Sequence, residues 1–196
     1  MKSLLSLAAA ALLLAITLAP SQAAQRFGAF VVFESPDYIL MDGNITGSAT
    51  SDFRKARAAR PNAKVLALRS AGGYVDDALK LAGAVRSSGI STAIPGNFYC
   101  YSACAYLFFA GREHIVTGKL GVHRVGEVDG SGSADADAYY KMVKGDIQRF
   151  VPKNVMRYLE STPASSMHVF SRKEITALNI NRGSSNSLAA KFASTQ

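Results

Sequence analysis

Three short segments of this chain carry residue types that could take part in catalysis. Gly72-Gly73 follows an apolar run, Ser102 lies between two cysteines, and His123 ends a Leu-Gly-Val-His segment. A serine hydroxyl is a weak nucleophile unless a base such as histidine takes its proton. A glycine turn lets backbone N–H groups approach a ligand closely. Together these residue types indicate acyl transfer as the first chemistry to consider.

Each segment also has a purely structural interpretation. The glycine pair occurs in ordinary tight turns, and its spacing matches neither a dinucleotide fingerprint nor a phosphate loop. Ser102 could cap the helix that follows it, and His123 could be a structural or surface residue. His114 and His168 are rival candidates for the base, but neither follows an apolar strand.

The only two cysteines of the chain, Cys100 and Cys104, flank Ser102. On one helical turn their Cα atoms would be roughly 6 Å apart, inside the range of about 4.4–6.8 Å that a disulfide needs. A disulfide would hold the backbone around Ser102, whereas two buried thiols would pack like small apolar residues. The three intervening residues argue against a thioredoxin-like redox role, which needs two.

The segments that position these residues alternate between strand and helix patterns. The apolar run 64–68 predicts a strand buried on both faces, and the spacing from Val75 predicts a helix that ends at Gly89. Residues 91–94 predict a further strand, and 102–110 a short buried segment of helix. This alternation is typical of an α/β fold with right-handed crossovers.

The C-terminal part has a different pattern. Residues 126–138 contain Gly, Ser, Asp and Ala with little to bury, which predicts a mobile loop. Helices are predicted over 139–150 and 154–160. A last short helix is predicted after Ser171, because Glu174 completes a capping-box pattern with it.

The N-terminus has the pattern of a secretory signal peptide. Lys2 precedes an apolar run of about 15 residues, short of the roughly 20 that span a bilayer, and residues 21–23 offer a cleavage site. We therefore expect a signal peptide over 1–23, a single folded domain over 24–182 and a flexible C-terminal tail over 183–196. A secreted protein without stable membrane insertion is the expected product.

Composition argues against several classes of function. Hydrophobic residues make up 48% of the 196 residues and charged residues 18%, which suits a folded domain. Two cysteines are too few for a cysteine-rich zinc module, and we predict neither a metal site nor a cofactor. The formal net charge of +8 comes from scattered Lys and Arg without interleaved aromatic residues, so no nucleic-acid partner is expected.

The order of these segments resembles the proteolytic subunit of the Clp protease, within the Clp protease/crotonase superfamily. The resemblance covers about residues 30–182. Ser70-Ala71-Gly72-Gly73 is similar to the family's Ser-Pro-Gly-Gly turn, residues 101–104 to its nucleophile segment, and Gly121-Val122-His123 to its base segment. The similarity is to the exported branch, which implies the bacterial periplasm and a single α/β domain of repeated β-β-α units wound as a spiral.

Carried over to this chain, the resemblance implies that Ser102 is the nucleophile and His123 the general base. The N–H groups of Gly73 and Ala103 would form the oxyanion hole, since each opens a helix and lacks an intrahelical partner. The acidic residue of the family should fall near 161–166, a segment that holds no carboxylate.

Two other acids are candidates for the missing position: Glu160, which is nearest, and Asp146. A serine–histidine pair without an orienting acid still works, but more slowly. Two functions remain open. The first is an exported, ATP-independent serine peptidase that acts on peptide or protein substrates without a cofactor and assembles as a homo-oligomer. The alternative is a catalytically inactive envelope protein of the same fold that serves as a binding or oligomeric scaffold.

Overall fold

The computed structural model describes residues 24–33, 37–127, 132–184 and 187–194. The predicted signal peptide over 1–23 and part of the predicted loop, 128–131, lie outside the described residues. None of the helices in the described ranges has the length and hydropathy that a membrane-spanning helix requires.

The main sheet contains six strands. In spatial order they are β1 (Gln25–Phe27), β2 (Phe30–Val32), β3 (Tyr38–Asp42), β4 (Val65–Arg69), β5 (Ser91–Ile94) and β7 (His114–Val116). The first three strands pair antiparallel, and β3, β4, β5 and β7 pair parallel. The predicted buried strand over 64–68 is β4, whose residues Leu66, Ala67 and Leu68 are all fully buried. Burial on both faces of a parallel sheet explains this continuous apolar run.

A second, smaller sheet carries the serine and histidine segments. Its strands are β6 (Tyr99–Tyr101), β8 (Lys119–Val122) and β9 (His168–Val169), with β6 parallel and β9 antiparallel to β8. A bridge between Ser70 and Cys100 connects this sheet to the end of β4. The sequence did not predict β6 or β9, because strands of two or three residues leave no readable alternation.

Helices cover both faces of the main sheet. They are α1 (Ala49–Ala59), α2 (Val75–Ser88), α3 (Cys104–Ala110), α4 (Ala134–Gln148), α5 (Lys153–Ser161), α6 (Arg172–Ala177) and α7 (Leu188–Ser194). The predicted end of α2 is confirmed, since Gly89 adopts the left-handed conformation with a φ of 65°. The capping box of Ser171 and Glu174 is also confirmed.

The predicted mobile loop over 126–138 is wrong in its second half, where residues 134–138 form the first turn of α4. The hydroxyl of Ser133 caps this helix. Asp135 and Asp137 lie in the first turn, where negative charge interacts favourably with the helix dipole. The polar composition of this segment therefore marks a helix start.

Part of the predicted flexible tail, residues 188–194, forms α7 instead. Ala189 and Ala193 of this helix are buried in a cluster on the far side of the main sheet, together with Val65, Ala93 and Ile115. Small residues four positions apart allow the helix to lie close to the strands. The chain is thus a mixed α/β domain with a largely parallel sheet and flanking helices, which confirms the predicted fold class at that level.

Candidate active site

Ser102 and His123 lie at the same edge of the second sheet. They follow the last residues of β6 and β8, which run parallel with Tyr101 opposite Gly121. The backbone N–H of Ser102 donates to the carbonyl oxygen of Gly121 at 3.0 Å. Because neighbouring parallel strands end at the same edge of a sheet, the topology brings the predicted nucleophile and base together.

Ser102 occupies a sharp turn between β6 and α3. Its φ of 56° lies in the left-handed region, which costs a residue with a side chain roughly 1–2 kcal/mol. The helix begins after Ala103, and no side chain caps it. Helix capping, the structural alternative for Ser102, therefore does not explain the residue.

A disulfide joins Cys100 and Cys104, with the Cα atoms 5.3 Å apart. The pairing predicted from the sequence is present, although Cys100 lies in β6 and only Cys104 lies in α3. Both residues are fully buried. The bond spans the turn of Ser102 and ties its two ends together. A disulfide in this position fits a protein of an oxidising compartment.

Gly72 and Gly73 form a second turn at the site, between β4 and α2. Their φ values of 105° and 150° favour glycine. A methyl group on Gly72 would come within 2.9 Å of Ser102 Cβ and 3.1 Å of Ala103 N, and one on Gly73 within 2.1 Å of Ile45 O. The absence of a side chain at Gly72 thus allows the glycine turn to lie directly against the serine turn.

The two predicted oxyanion donors are unpaired. Neither the N–H of Gly73 nor that of Ala103 donates a hydrogen bond to any described residue. Gly73 is exposed, whereas Ala103 is buried. An unpaired N–H in a buried turn is costly unless a ligand or water bonds it. The two amides therefore offer donors to a ligand bound between the turns.

His123 is half-buried, and its Nδ1 has no hydrogen-bond partner in the part of the chain that the structure describes. Burial lowers the pKa of the imidazole below its ordinary value of 6.5, so the ring is neutral at neutral pH and can accept a proton. Among the described residues no hydrogen bond joins Ser102 Oγ to the ring. Such contacts are often long in unliganded sites.

Neither predicted acid bonds to His123. Glu160 accepts hydrogen bonds from Lys144 Nζ and from the hydroxyl of Tyr140, each at 2.6 Å. These two bonds hold the pKa of the Glu160 carboxyl below its usual range. Asp146 lies in α4 and pairs with an arginine one turn later at 3.6 Å. Both carboxylates are thus engaged elsewhere.

The segment in which the acid was expected does lie beside the histidine. The N–H of Arg124, the residue after His123, donates to the carbonyl oxygen of Thr162 at 3.0 Å. Residues 161–166 are Ser, Thr, Pro and Ala only. The site therefore combines a serine, a histidine and two free amides without a carboxylate on the histidine.

The rival histidines have structural surroundings. His114 is buried against Phe108 and Phe109, with ring centroids 5.1 and 5.4 Å away, and burial lowers its pKa to about 4. His168 packs among aromatic rings, and its Nε2 lies 3.1 Å from Glu174 Oε1. These contacts explain both residues without a catalytic role.

Two polar contacts that place α4 beside the site were missed by sequence reasoning. Arg124 donates to Asp137 at 2.5 Å, and the hydroxyl of Tyr139 donates to Asp76 at 2.7 Å. Asp76 belongs to the first turn of α2, directly after the glycine turn. The partners in the second pair are 63 residues apart, so no local pattern could indicate the contact.

Comparisons of the chain with models of protein families and with curated proteins find no match.

Proposed function

We propose that this protein is an exported serine hydrolase, a peptidase of the Clp protease/crotonase type that needs no ATP. The observation that carries the proposal is the convergence of Ser102, held in a left-handed turn, with His123 at one edge of the second sheet. A non-glycine residue held in a costly backbone conformation is a frequent feature of active sites. The neutral imidazole and the two free amides supply the other groups that acyl transfer needs.

The reaction begins when Ser102 Oγ attacks the carbonyl carbon of the substrate while His123 takes the hydroxyl proton. The N–H groups of Gly73 and Ala103 stabilise the negative charge on the former carbonyl oxygen, and one such donor is typically worth about 3–4 kcal/mol. His123 then protonates the leaving amine as the C–N bond breaks. Water releases the acyl group from Ser102, with His123 again acting as the base.

The unsupported histidine predicts a slow enzyme. No carboxylate bonds Nδ1 of His123 among the described residues, so the imidazole lacks the acidic partner that orients the base in a complete triad. In a serine–histidine–aspartate site, loss of the aspartate's function lowers kcat about 10⁴-fold. Turnover well below that of a complete triad is therefore part of the proposal.

The proposal also includes the spiral arrangement of β-β-α units, a periplasmic location, a peptide or protein substrate and assembly as a homo-oligomer. These features follow from the resemblance. The buried disulfide supports the oxidising compartment. Two strand–turn–helix units, β4 to α2 and β6 to α3, support the repeated architecture.

A fluorophosphonate probe tests this function because it modifies activated serine hydroxyls. We expect the mature protein to be labelled at Ser102, and the Ser102→Ala and His123→Ala variants to lose labelling at least about 100-fold. Ser165→Ala removes an exposed serine and is the matched control that should label normally. Circular dichroism verifies the folding of each variant. A folded wild-type protein that the probe leaves unmodified would contradict the peptidase.

The alternative function is a catalytically inactive envelope protein that binds a partner or forms an oligomeric scaffold. Two observations favour it: neither predicted acid bonds to His123, and no hydrogen bond joins Ser102 Oγ to the ring among the described residues. This function predicts no labelling of the folded protein. It also predicts that Ser102→Ala keeps the oligomeric state of the wild type in analytical ultracentrifugation.

A further inference from the structure

A groove between α1 and α2 is formed by two adjoining cavities of about 500 and 420 Å³. Arg57 and Ser88 line both cavities, so the two spaces are neighbours on the surface. We call this surface the basic groove. None of its lining residues belongs to the candidate active site, so the groove calls for an explanation of its own.

Cationic side chains dominate the basic groove: Arg54, Arg57, Lys64, Lys80 and Arg112 line it, with Glu113 as its carboxylate. Lys80 lies 3.9 Å from Asp77, and the other four have no ion pair within the described ranges of the chain. Elsewhere, Arg26, Lys55, Arg60, Arg69, Arg124, Lys144 and Arg149 each lie within 4 Å of a carboxylate. Cations outside the groove, among them Lys119, Lys141 and Arg157, also have no ion pair within the described ranges. The groove differs from them because four such cations line two adjoining cavities.

Arg57 occupies the wall that the two cavities share. Its Nη1 donates to the carbonyl oxygens of Arg60 and Ala63 at 3.3 and 2.9 Å. These bonds orient the guanidinium but do not neutralise it, and burial lowers the pKa of Arg57. Since a guanidinium has five N–H donors, those on Nε and Nη2 are left for a ligand.

Serine hydroxyls add neutral donors to this surface. Ser91 lines the groove and is only 5% exposed, and its hydroxyl makes no hydrogen bond to any residue that the structure describes. The hydroxyl of Ser87, on the other cavity, is likewise without a described partner. Both hydroxyls are therefore free to donate hydrogen bonds to a bound anion.

We propose that the basic groove binds an extended anion with phosphate groups in both cavities and Arg57 between them. Guanidinium groups pair with two phosphate oxygens at once, and lysine ammonium groups bind phosphate as point charges. Two adjoining cavities, lined by four cations that have no ion pair among the described residues, suit a ligand with several linked negative groups better than a single phosphate ion. The ligand class is therefore a linear oligophosphate or a phosphate-bearing chain.

Isothermal titration of the mature protein with tripolyphosphate and with inorganic phosphate tests the groove. We expect tripolyphosphate to bind at least about tenfold more tightly than phosphate. The double variant Arg57→Gln/Lys64→Gln should weaken tripolyphosphate binding at least about tenfold. Ser102→Ala should bind like the wild type, because the groove is separate from the candidate active site.

A matched control separates a built site from general attraction to a basic protein. Lys141→Gln/Lys153→Gln removes the same charge from exposed positions outside the groove and should leave the affinity for tripolyphosphate nearly unchanged. Equal losses in the two double variants would overturn the proposal, because they would show dependence on net charge alone. Equal affinities for phosphate and tripolyphosphate would overturn it as well.

A vesicle arm distinguishes the sources of the phosphate. Phosphatidylglycerol vesicles that bind the wild type but not Arg57→Gln/Lys64→Gln would assign the groove to lipid headgroups. Tripolyphosphate binding without vesicle binding would assign it to a soluble or polymeric phosphate. If Arg57→Gln/Lys64→Gln weakens neither tripolyphosphate binding nor vesicle binding, the proposal is wrong.

Discussion

The two turns that meet at the candidate site are built in opposite ways. The turn between β4 and α2 uses Gly72 and Gly73, which adopt positive φ without a side-chain penalty. The turn between β6 and α3 places Ser102 in a left-handed conformation and has a disulfide across it. Glycine alone is thus enough to place a backbone donor. A reactive side chain in similar backbone geometry needs restraint from its surroundings.

The largest change in stability is expected when a side chain is added to the glycine turn. Gly73→Ala would place Cβ 2.1 Å from Ile45 O, and we expect it to lower the free energy of unfolding by about 2–4 kcal/mol. Gly83→Ala, in the adjoining helix α2, meets no atom within 4 Å and should raise it by about 0.5–1 kcal/mol. Urea unfolding measures both changes. Similar effects of the two substitutions would contradict the close-packing argument.

The second-largest effect is expected when the disulfide that spans the turn of Ser102 is removed. Cys100→Ala/Cys104→Ala opens a loop of five residues, which should cost about 2 kcal/mol of stability. Fluorophosphonate labelling of Ser102 should fall about tenfold even well below the melting temperature, because the turn is no longer held. Labelling at the wild-type rate by the folded double variant would show that the disulfide stabilises the fold without positioning Ser102.

A smaller effect should reveal the strain at Ser102 itself. Ser102→Gly and Ser102→Ala both remove the hydroxyl, and neither should be labelled. With a φ of 56° at this position, the glycine variant should be more stable than the alanine variant by about 1 kcal/mol. Thermal unfolding compares the two proteins directly. Equal stabilities would mean that the turn stores no strain.

The smallest expected effect is the change in the labelling rate of Ser102 when the pH is raised above 7. Because burial lowers the pKa of His123 below 6.5, the base is already neutral at pH 7. The labelling rate should therefore rise less than about 1.3-fold between pH 7 and pH 8. Below the lowered pKa it should fall about tenfold per pH unit as the ring is protonated. A several-fold rise above pH 7 would indicate a raised pKa and hence a carboxylate beside His123.

Features set by neighbouring residues could be predicted from the sequence. The run 64–68 identified β4, and the spacing from Val75 with Gly89 identified both ends of α2. Ser171 and Glu174 interact within one helical turn, which is why their capping box was predictable. The cysteine pairing also followed from a spacing of four residues.

Features set by distant partners could not be predicted. The left-handed turn of Ser102 depends on the ladder between β6 and β8, and β6 is too short to identify from its sequence. Glu160 was a reasonable candidate acid by position, but Tyr140 and Lys144 of α4 bind it. Helix α7 was not predicted, because it follows a serine-rich stretch and its apolar residues gain their burial from distant strands of the main sheet.

The position of α7 has a practical consequence for handling the protein. Ala189 and Ala193 cover Val65 and Ala93, and Thr117 Oγ1 donates to the carbonyl oxygen of Ala193 at 2.7 Å. A truncation before residue 187 would expose apolar side chains on the strands beneath the helix. Exposed apolar strand surface favours aggregation between molecules. Tag placement and limited proteolysis should therefore leave residues 187–194 intact. Otherwise a loss of labelling caused by aggregation could be misread as a property of the candidate active site.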